Sequence, residues 1–212
     1  MISTGLLNRL IGILLIITSI FLIILVILPS ITLPVDKTMI EGVNDQQWRV
    51  ISVLAFALYM LFPIVIIGLY VKQYKESGII GLIGFVLAAL GAVINSCMLF
   101  DMAFVWPILS IHAPELIDFS GPLFRASIFS VAHNLIVYLG TIGFIVFGIA
   151  MIRAKVFPRF GAVLFTIGMP LTGVILFPPF ILRAIGSILA GASLFWKGII
   201  LIKGKLNEER SA

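Results

Sequence analysis

The stretch SGIIGLIGFVLAALGAVINSCMLF, residues 77–100, carries no charged side chain. A helix needs about 20 mostly apolar residues to cross the hydrocarbon of a bilayer, and this stretch is long enough. Five more apolar segments pass the same test, and the six predicted spans are approximately residues 8–29, 50–71, 78–101, 125–152, 159–177 and 181–203. The sequence therefore predicts an all-α fold, a polytopic membrane protein built as a bundle of six transmembrane helices.

The composition points the same way. Of 212 residues, 61% are hydrophobic and 11% are charged, whereas about a quarter of a soluble domain is charged. Little chain is left between the spans, so residues 1–212 are predicted to form a single integral membrane domain among membrane lipids. The first apolar run is too long for the core of a signal peptide, and no small-residue cleavage pattern follows it. We expect it to be retained as the first helix.

The cationic side chains are divided unequally between the two ends of the predicted spans. Alternating the ends places ten of the fourteen Lys and Arg residues on one side, namely Arg9, Lys72, Lys75, Arg153, Lys155, Arg159, Lys197, Lys203, Lys205 and Arg210. Lys and Arg of short loops accumulate on the cytoplasmic side, so both termini are predicted to be cytoplasmic. The net charge of +5 then reflects topology, and no nucleic-acid partner is predicted.

The odd-numbered spans share a sequence frame. Each contains an apolar run that starts at a glycine, Gly12, Gly84 or Gly161, and each span ends at the same spacing after that glycine. The even-numbered spans follow an arginine and close with glycine, apolar residues and a cation. This pattern favours three pseudo-repeated helical hairpins in one orientation, although apolar segments also resemble one another through composition alone.

Small residues four apart predict close helix contacts. The pairs are Gly186 with Ala190 in the sixth span and Gly84 with Ala88 in the third. Faces of this kind let the backbones of membrane helices approach closely. We favour packing inside one bundle, and the alternative is a homo-oligomer joined through these faces.

Polar residues cluster in the outer half of the predicted spans. His133 lies ~12 Å, Asn95 ~9 Å and Tyr59 ~15 Å from the outer ends of their helices, at 1.5 Å per residue. Polar residues inside a span mark function more often than they do in soluble helices. The candidate ligand-binding residues are His133, Asn134, Asn95, Ser130, Tyr59 and Asp101. Two histidines and one cysteine offer little for a metal centre, and no catalytic residue, metal site or cofactor is predicted.

Two further features invite an interpretation. Prolines cut residues 101–125 into pieces, so this segment is expected to cap the outer surface without spanning, with Trp106 as an interface anchor. Its His112, Glu115 and Asp118 are interpreted as a solvated rim, and the alternative is an acidic mouth over the pocket that attracts cations. Lys197 interrupts the last span, and we expect its side chain to reach the cytoplasmic interface.

The stretches FPRFGAVLFTIGMPL and RAIGSILAGASLFWKGIIL resemble the last two helices of small, uncharacterised multi-pass bacterial membrane proteins. The resemblance implies six spans and a location in the prokaryotic plasma membrane. It implies no activity and no site.

Three functions remain open at this stage. The first is a transporter, sensor or binding subunit whose outward-facing polar pocket takes a small amphipathic or cationic ligand. The second is an intramembrane enzyme that modifies lipids and uses His133 as acid or base. The third is a structural partner subunit of a membrane complex. We favour the non-enzymatic pocket.

Overall fold

The computed structural model describes residues 4–32, 39–118, 121–122, 124–125, 128–173 and 180–204, of which 26, 28–32, 39, 129, 132–133, 136–137, 173 and 180 are described by their backbone alone. This part of the chain is almost entirely helical and contains no strand. Its α-helices are α1 Thr4–Thr32, α2 Met39–Asn44, α3 Gln46–Phe100, α4 Trp106–His112, α5 Ile128–Ala154, α6 Arg159–Gly173 and α7 Phe180–Lys203. A π-helical segment, Asp101–Val105, joins α3 to α4, and a short 3-10 turn, Pro114–Leu116, follows α4.

The long helix α3 is a hairpin. Gly78 has φ 58° and ψ −155°, a backbone conformation close to glycine's exclusive region, and it separates a first arm, 46–77, from a second arm, 79–100. The Ser96 hydroxyl donates to the Tyr59 carbonyl at 2.9 Å although the two residues are 37 apart in sequence. A straight helix would separate them by ~55 Å, so the arms must fold back on each other. Tyr70 and Phe85 stack across the hairpin with ring centroids 4.3 Å apart.

The six long helical arms are arranged in a closed ring in chain order. Each neighbouring pair is antiparallel, and α7 closes the ring by packing against α1. The inner end of the bundle, as we name it, holds the start of α1, the turn at Gly78, the connection between α5 and α6, and the end of α7. The opposite, outer end carries α2 and α4. Lys72 Nζ donates to Asn8 Oδ1 at the inner end and ties the first arm of α3 to α1.

Glycines set the closest approaches between the arms. A Cβ placed on Gly84 would lie 2.4 Å from the Phe147 backbone nitrogen of α5, and one on Gly91 would lie 2.3 Å from the Gly140 Cα. In the last two helices, a Cβ on Gly168 would lie 2.4 Å from the Ala190 nitrogen. The small faces predicted from the sequence are therefore filled from within the chain, by α5 for the second arm of α3 and by α6 for α7.

The interior between the arms is mainly apolar. Phe62, Phe147 and Phe165 are each 1% exposed or less and belong to one core cluster with Leu15 and Leu194. The Phe147 and Phe165 rings meet edge to face at 6.1 Å between centroids. These five residues come from five different arms, so one continuous core holds the ring together.

The faces of the arms that point away from the core are also apolar. Ile13 of α1, Ile64 of α3, Ile142 of α5 and Ile188 of α7 are each about half exposed. Soluble proteins seldom expose apolar side chains over such a continuous surface. Among the described residues, three helical stretches are long and apolar enough to cross a membrane, namely Thr4–Leu25, Gln46–His112 and Ile181–Lys203. Two shorter apolar helices cover Tyr138–Ala154 and Arg159–Thr172. Helices of this kind are typical of a protein embedded in a membrane.

The outer end is more regular than predicted. The segment after Asp101 was expected to break at Pro107, yet the helix continues to His112. Pro107 lies in the first turn of α4, where a missing N–H does no harm, and the π-helical segment before it absorbs the change in hydrogen-bond register. The extension from Asp101 to His112 is ~18 Å long, too short for another crossing.

The extension forms a small cap with α2. Val43, Trp106 and Ile117 make a second apolar cluster, and the Ser110 hydroxyl donates to Asn44 Oδ1 at 2.9 Å. Trp106 is 6% exposed and meets Phe124 edge to face, so the expectation that it anchors a lipid interface is wrong. Its ring instead packs against Phe124 and so links the cap to the segment that leads into α5.

Candidate functional site

The hairpin of α3 brings two of the predicted site residues together. Tyr59 on the first arm and Asn95 on the second arm share a side-chain hydrogen bond. Arg183, at the start of α7, lies close enough to interact electrostatically with the Tyr59 hydroxyl. We call these three residues the outer polar cluster, because all three lie in the half of the bundle nearer the cap.

The register of the two arms fixes the geometry of this cluster. Ser96 follows Asn95 and donates both to the Tyr59 carbonyl and to the Ala92 carbonyl, each at 2.9 Å. The Tyr59 ring stacks on Phe62 with centroids 5.2 Å apart and an interplanar angle of 20°. The phenol is therefore held by core packing on one side and by the second arm on the other. Taken as whole residues, Tyr59 and Asn95 are both half-buried.

The other predicted site residues lie on α5 and on the π-helical segment, outside the outer polar cluster. Ser130 and Asn134 are half-buried on α5, and Ser130 takes part in a further interaction. Asp101 is half-buried at the start of the π-helical segment, where its carbonyl accepts the Trp106 backbone N–H. The backbone of His133 lies in α5, but its side chain falls outside the described residues, so its predicted role stays a prediction.

Lys197 is the functional candidate that sequence reasoning missed. Its side chain is 1% exposed, and the expectation that it reaches the cytoplasmic interface is wrong. The amine donates to the Gly161 carbonyl of α6 at 3.0 Å and to the Ser193 hydroxyl one turn earlier in α7. The Phe165 ring lies 4.9 Å from Nζ at its centroid.

The sequence does hold a signal for this burial. Lys197 shares a helix face with Gly186, Ala190 and Ser193, at spacings of four, three and four residues. Small residues on that face let α6 approach, so any side chain on it is covered by α6. The hydropathy pattern treats Lys197 as an interruption of a span, whereas the small-residue pattern places it inside the bundle.

A further set of buried polar atoms lies near the turn of α3. Gln73 is fully buried, and its amide nitrogen and oxygen both lack a protein hydrogen-bond partner. The Ser77 hydroxyl, one turn later on the same face, also lacks a protein partner. Buried polar groups are nearly always satisfied, so a buried amide and hydroxyl without a protein partner are costly unless water reaches them.

The polar stretch after α4 is open to solvent. His112, Glu115 and Asp118 are exposed, in keeping with a solvated rim. Within the described ranges, no three His, Cys, Asp or Glu side chains come together in a group that could hold a metal ion. Cys97 is a free, exposed cysteine on the second arm of α3.

No protein family, curated protein or solved structure matches this chain.

Proposed function

We propose that this chain is a multi-pass protein of the prokaryotic plasma membrane, with six spans and both termini cytoplasmic, that binds or moves a small amphipathic ligand. The six long arms supply the spans, and the inner end carries the cationic side chains that favour the cytoplasmic side. Binding takes place at the outer polar cluster.

The observation that carries the proposal is the hydrogen bond between Tyr59 and Asn95, with Arg183 near enough to act electrostatically on the Tyr59 hydroxyl. Hydrogen-bonding groups half-buried among apolar side chains can orient the polar group of a ligand, while the apolar surface takes its tail. The sequence left open an amphipathic or a cationic ligand. Arg183 favours an amphipathic one, because a guanidinium repels a cation placed beside the same phenol.

The continuous apolar core favours one competing function. Phe62, Phe147 and Phe165 fill the middle of the bundle, as expected of a structural partner subunit. A subunit that only supports a partner needs no ligand. The two functions therefore differ in whether a small molecule stabilises the isolated chain.

Ligand-dependent thermal stability in detergent separates the two functions. The probes are a medium-chain fatty acid, an alkyl glycoside and a tetraalkylammonium ion. At 100 times its Kd a ligand adds ~2.7 kcal/mol of stability, and we expect the melting temperature to rise by roughly 5–10 °C with an amphipathic probe.

Variants test whether the effect comes from the outer polar cluster. Tyr59→Phe and Asn95→Leu should each remove most of the rise. Tyr138→Phe, which deletes an exposed hydroxyl on α5, is the matched control and should keep it. No stabilisation by any of the three probes would favour the structural subunit.

The proposed topology is tested with introduced cysteines. The exposed Cys97 is first changed to Ala, and single cysteines then replace Asn44 in α2 or Lys75 beside the turn of α3. Both positions are exposed, so reactivity reports the side of the membrane. In intact cells an impermeant thiol reagent should label position 44 alone, and after permeabilisation it should label both. Labelling of position 75 alone in intact cells would reverse the topology.

A further inference from the structure

The buried amine of Lys197 lies in an environment that helix packing alone does not require. Nζ lies between the first turn of α6, which offers the Gly161 carbonyl, and the Ser193 hydroxyl of its own helix. Ser193 is itself fully buried and donates to the same Gly161 carbonyl at 2.6 Å. One carbonyl oxygen thus accepts from two side chains of α7. The remaining neighbours of the amine are aromatic, with the Phe165 centroid at 4.9 Å and the Phe157 centroid at 6.0 Å.

No carboxylate balances this lysine in the part of the chain that the structure describes. The described charged groups on the elements around this end of α7 are Arg9 of α1, Arg153 of α5, Lys155 of the α5–α6 connection, Arg159 of α6 and Lys203 of α7. All five are cationic and exposed. Glu76, the described acid near the inner end, is also exposed. An ionisable side chain inside a membrane bundle is functional by default, and here its partners are neutral.

The two protonation states of the amine need different surroundings. A neutral amine has two N–H groups, and the Gly161 carbonyl and the Ser193 hydroxyl accept both. An ammonium group has a third N–H, for which the described neighbours offer only the face of an aromatic ring. Protonation therefore adds a third N–H group that the contact between α6 and α7 must accommodate.

We propose that Lys197 is a proton-binding site inside the bundle, and that gain and loss of its proton change the packing of α6 against α7. The site is separate from the outer polar cluster and does not depend on a ligand there. Gly161 lies in the first turn of α6, so a change at its carbonyl acts directly on the end of the helix that meets α7.

The experiment uses the full chain in lipid nanodiscs, labelled with 15Nζ-lysine and 5-fluorotryptophan. Nζ signals are followed between about pH 5 and pH 11, which spans the ordinary titration of lysine. We expect one Nζ signal to titrate about one pH unit or more away from the other lysines. The fluorine signal of Trp196 should move with the same midpoint, because its ring lies beside Phe160 in the first turn of α6. Trp196→Phe assigns that fluorine signal.

Variants connect the two signals to Lys197. Lys197→Met should remove the separate titration and the pH response of Trp196. Lys203→Met, at an exposed position of the same helix, should leave both in place. Ser193→Ala keeps the amine, removes one acceptor and should shift the midpoint, which also provides the assignment if Lys197→Met fails to fold. The proposal is overturned if Lys197 titrates with the other lysines, or if Trp196 moves with pH in the same way without it.

Discussion

Gly84 offers a strict test of the packing between the second arm of α3 and α5. An alanine there would place its Cβ 2.4 Å from the Phe147 nitrogen, 2.6 Å from the Phe147 Cα and 2.8 Å from the Val146 carbonyl carbon. Non-bonded carbon contacts are favourable near 3.5–4.0 Å, so the two helices must separate by about 1 Å. All three opposing atoms belong to the backbone, and no side-chain rotation can relieve the overlap.

The expected loss of stability follows from two opposing effects. Overpacking of a well-packed interior costs about 1–3 kcal/mol, and opposition by backbone atoms places Gly84→Ala toward the upper part of that range. Alanine favours a helix over glycine by about 1 kcal/mol, which offsets part of the cost. The net loss is about 1–2 kcal/mol, which lowers the melting temperature of a chain of this size by roughly 2–8 °C.

Thermal unfolding in detergent, followed by circular dichroism, measures this change. Gly5→Ala is the control, because a Cβ on Gly5 of α1 would meet no atom within 4 Å. That variant should match the wild type or exceed it slightly. If Gly84→Ala unfolds at the same temperature as Gly5→Ala, the close contact between the second arm of α3 and α5 does not exist as described.

Two other substitutions test the turn of α3 and the polar atoms beside it, and the melting temperature in detergent is again the measurement. Gly78→Ala forces a Cβ onto a residue with φ 58° and ψ −155°, so we expect a loss of stability of about 1–3 kcal/mol. An unchanged melting temperature would contradict the hairpin geometry. Gln73→Leu removes two unpartnered buried atoms that cost about 1–3 kcal/mol when unsatisfied, so we expect a higher melting temperature, with exposed Gln47→Leu as the control. A lower melting temperature for Gln73→Leu would show that water or a bound molecule satisfies the amide.

The sequence by itself determined the helical class, the apolar helices and the ends at which the cations gather. Each of these depends on composition and spacing along one segment. Run length and the absence of charge mark an apolar helix before any neighbour is known, as residues 77–100 illustrate. The small faces at Gly84 and Gly186 also predicted close contacts, because a missing side chain permits approach whatever the partner is.

Only the tertiary structure decided which polar atoms meet. The pairing of Tyr59 with Asn95 depends on the turn at Gly78, which sets the register of two arms that are distant in sequence. The prediction that Pro107 breaks the helix was wrong because a π-helical segment, which the residue pattern does not reveal, precedes Pro107. Pro107 therefore lies in the first turn of α4. Lys197 was misjudged for a related reason, since a lysine near the end of a span can extend outward or turn inward. The Gly161 carbonyl supplies the inward partner, and it belongs to another helix whose position no property of α7 alone reveals.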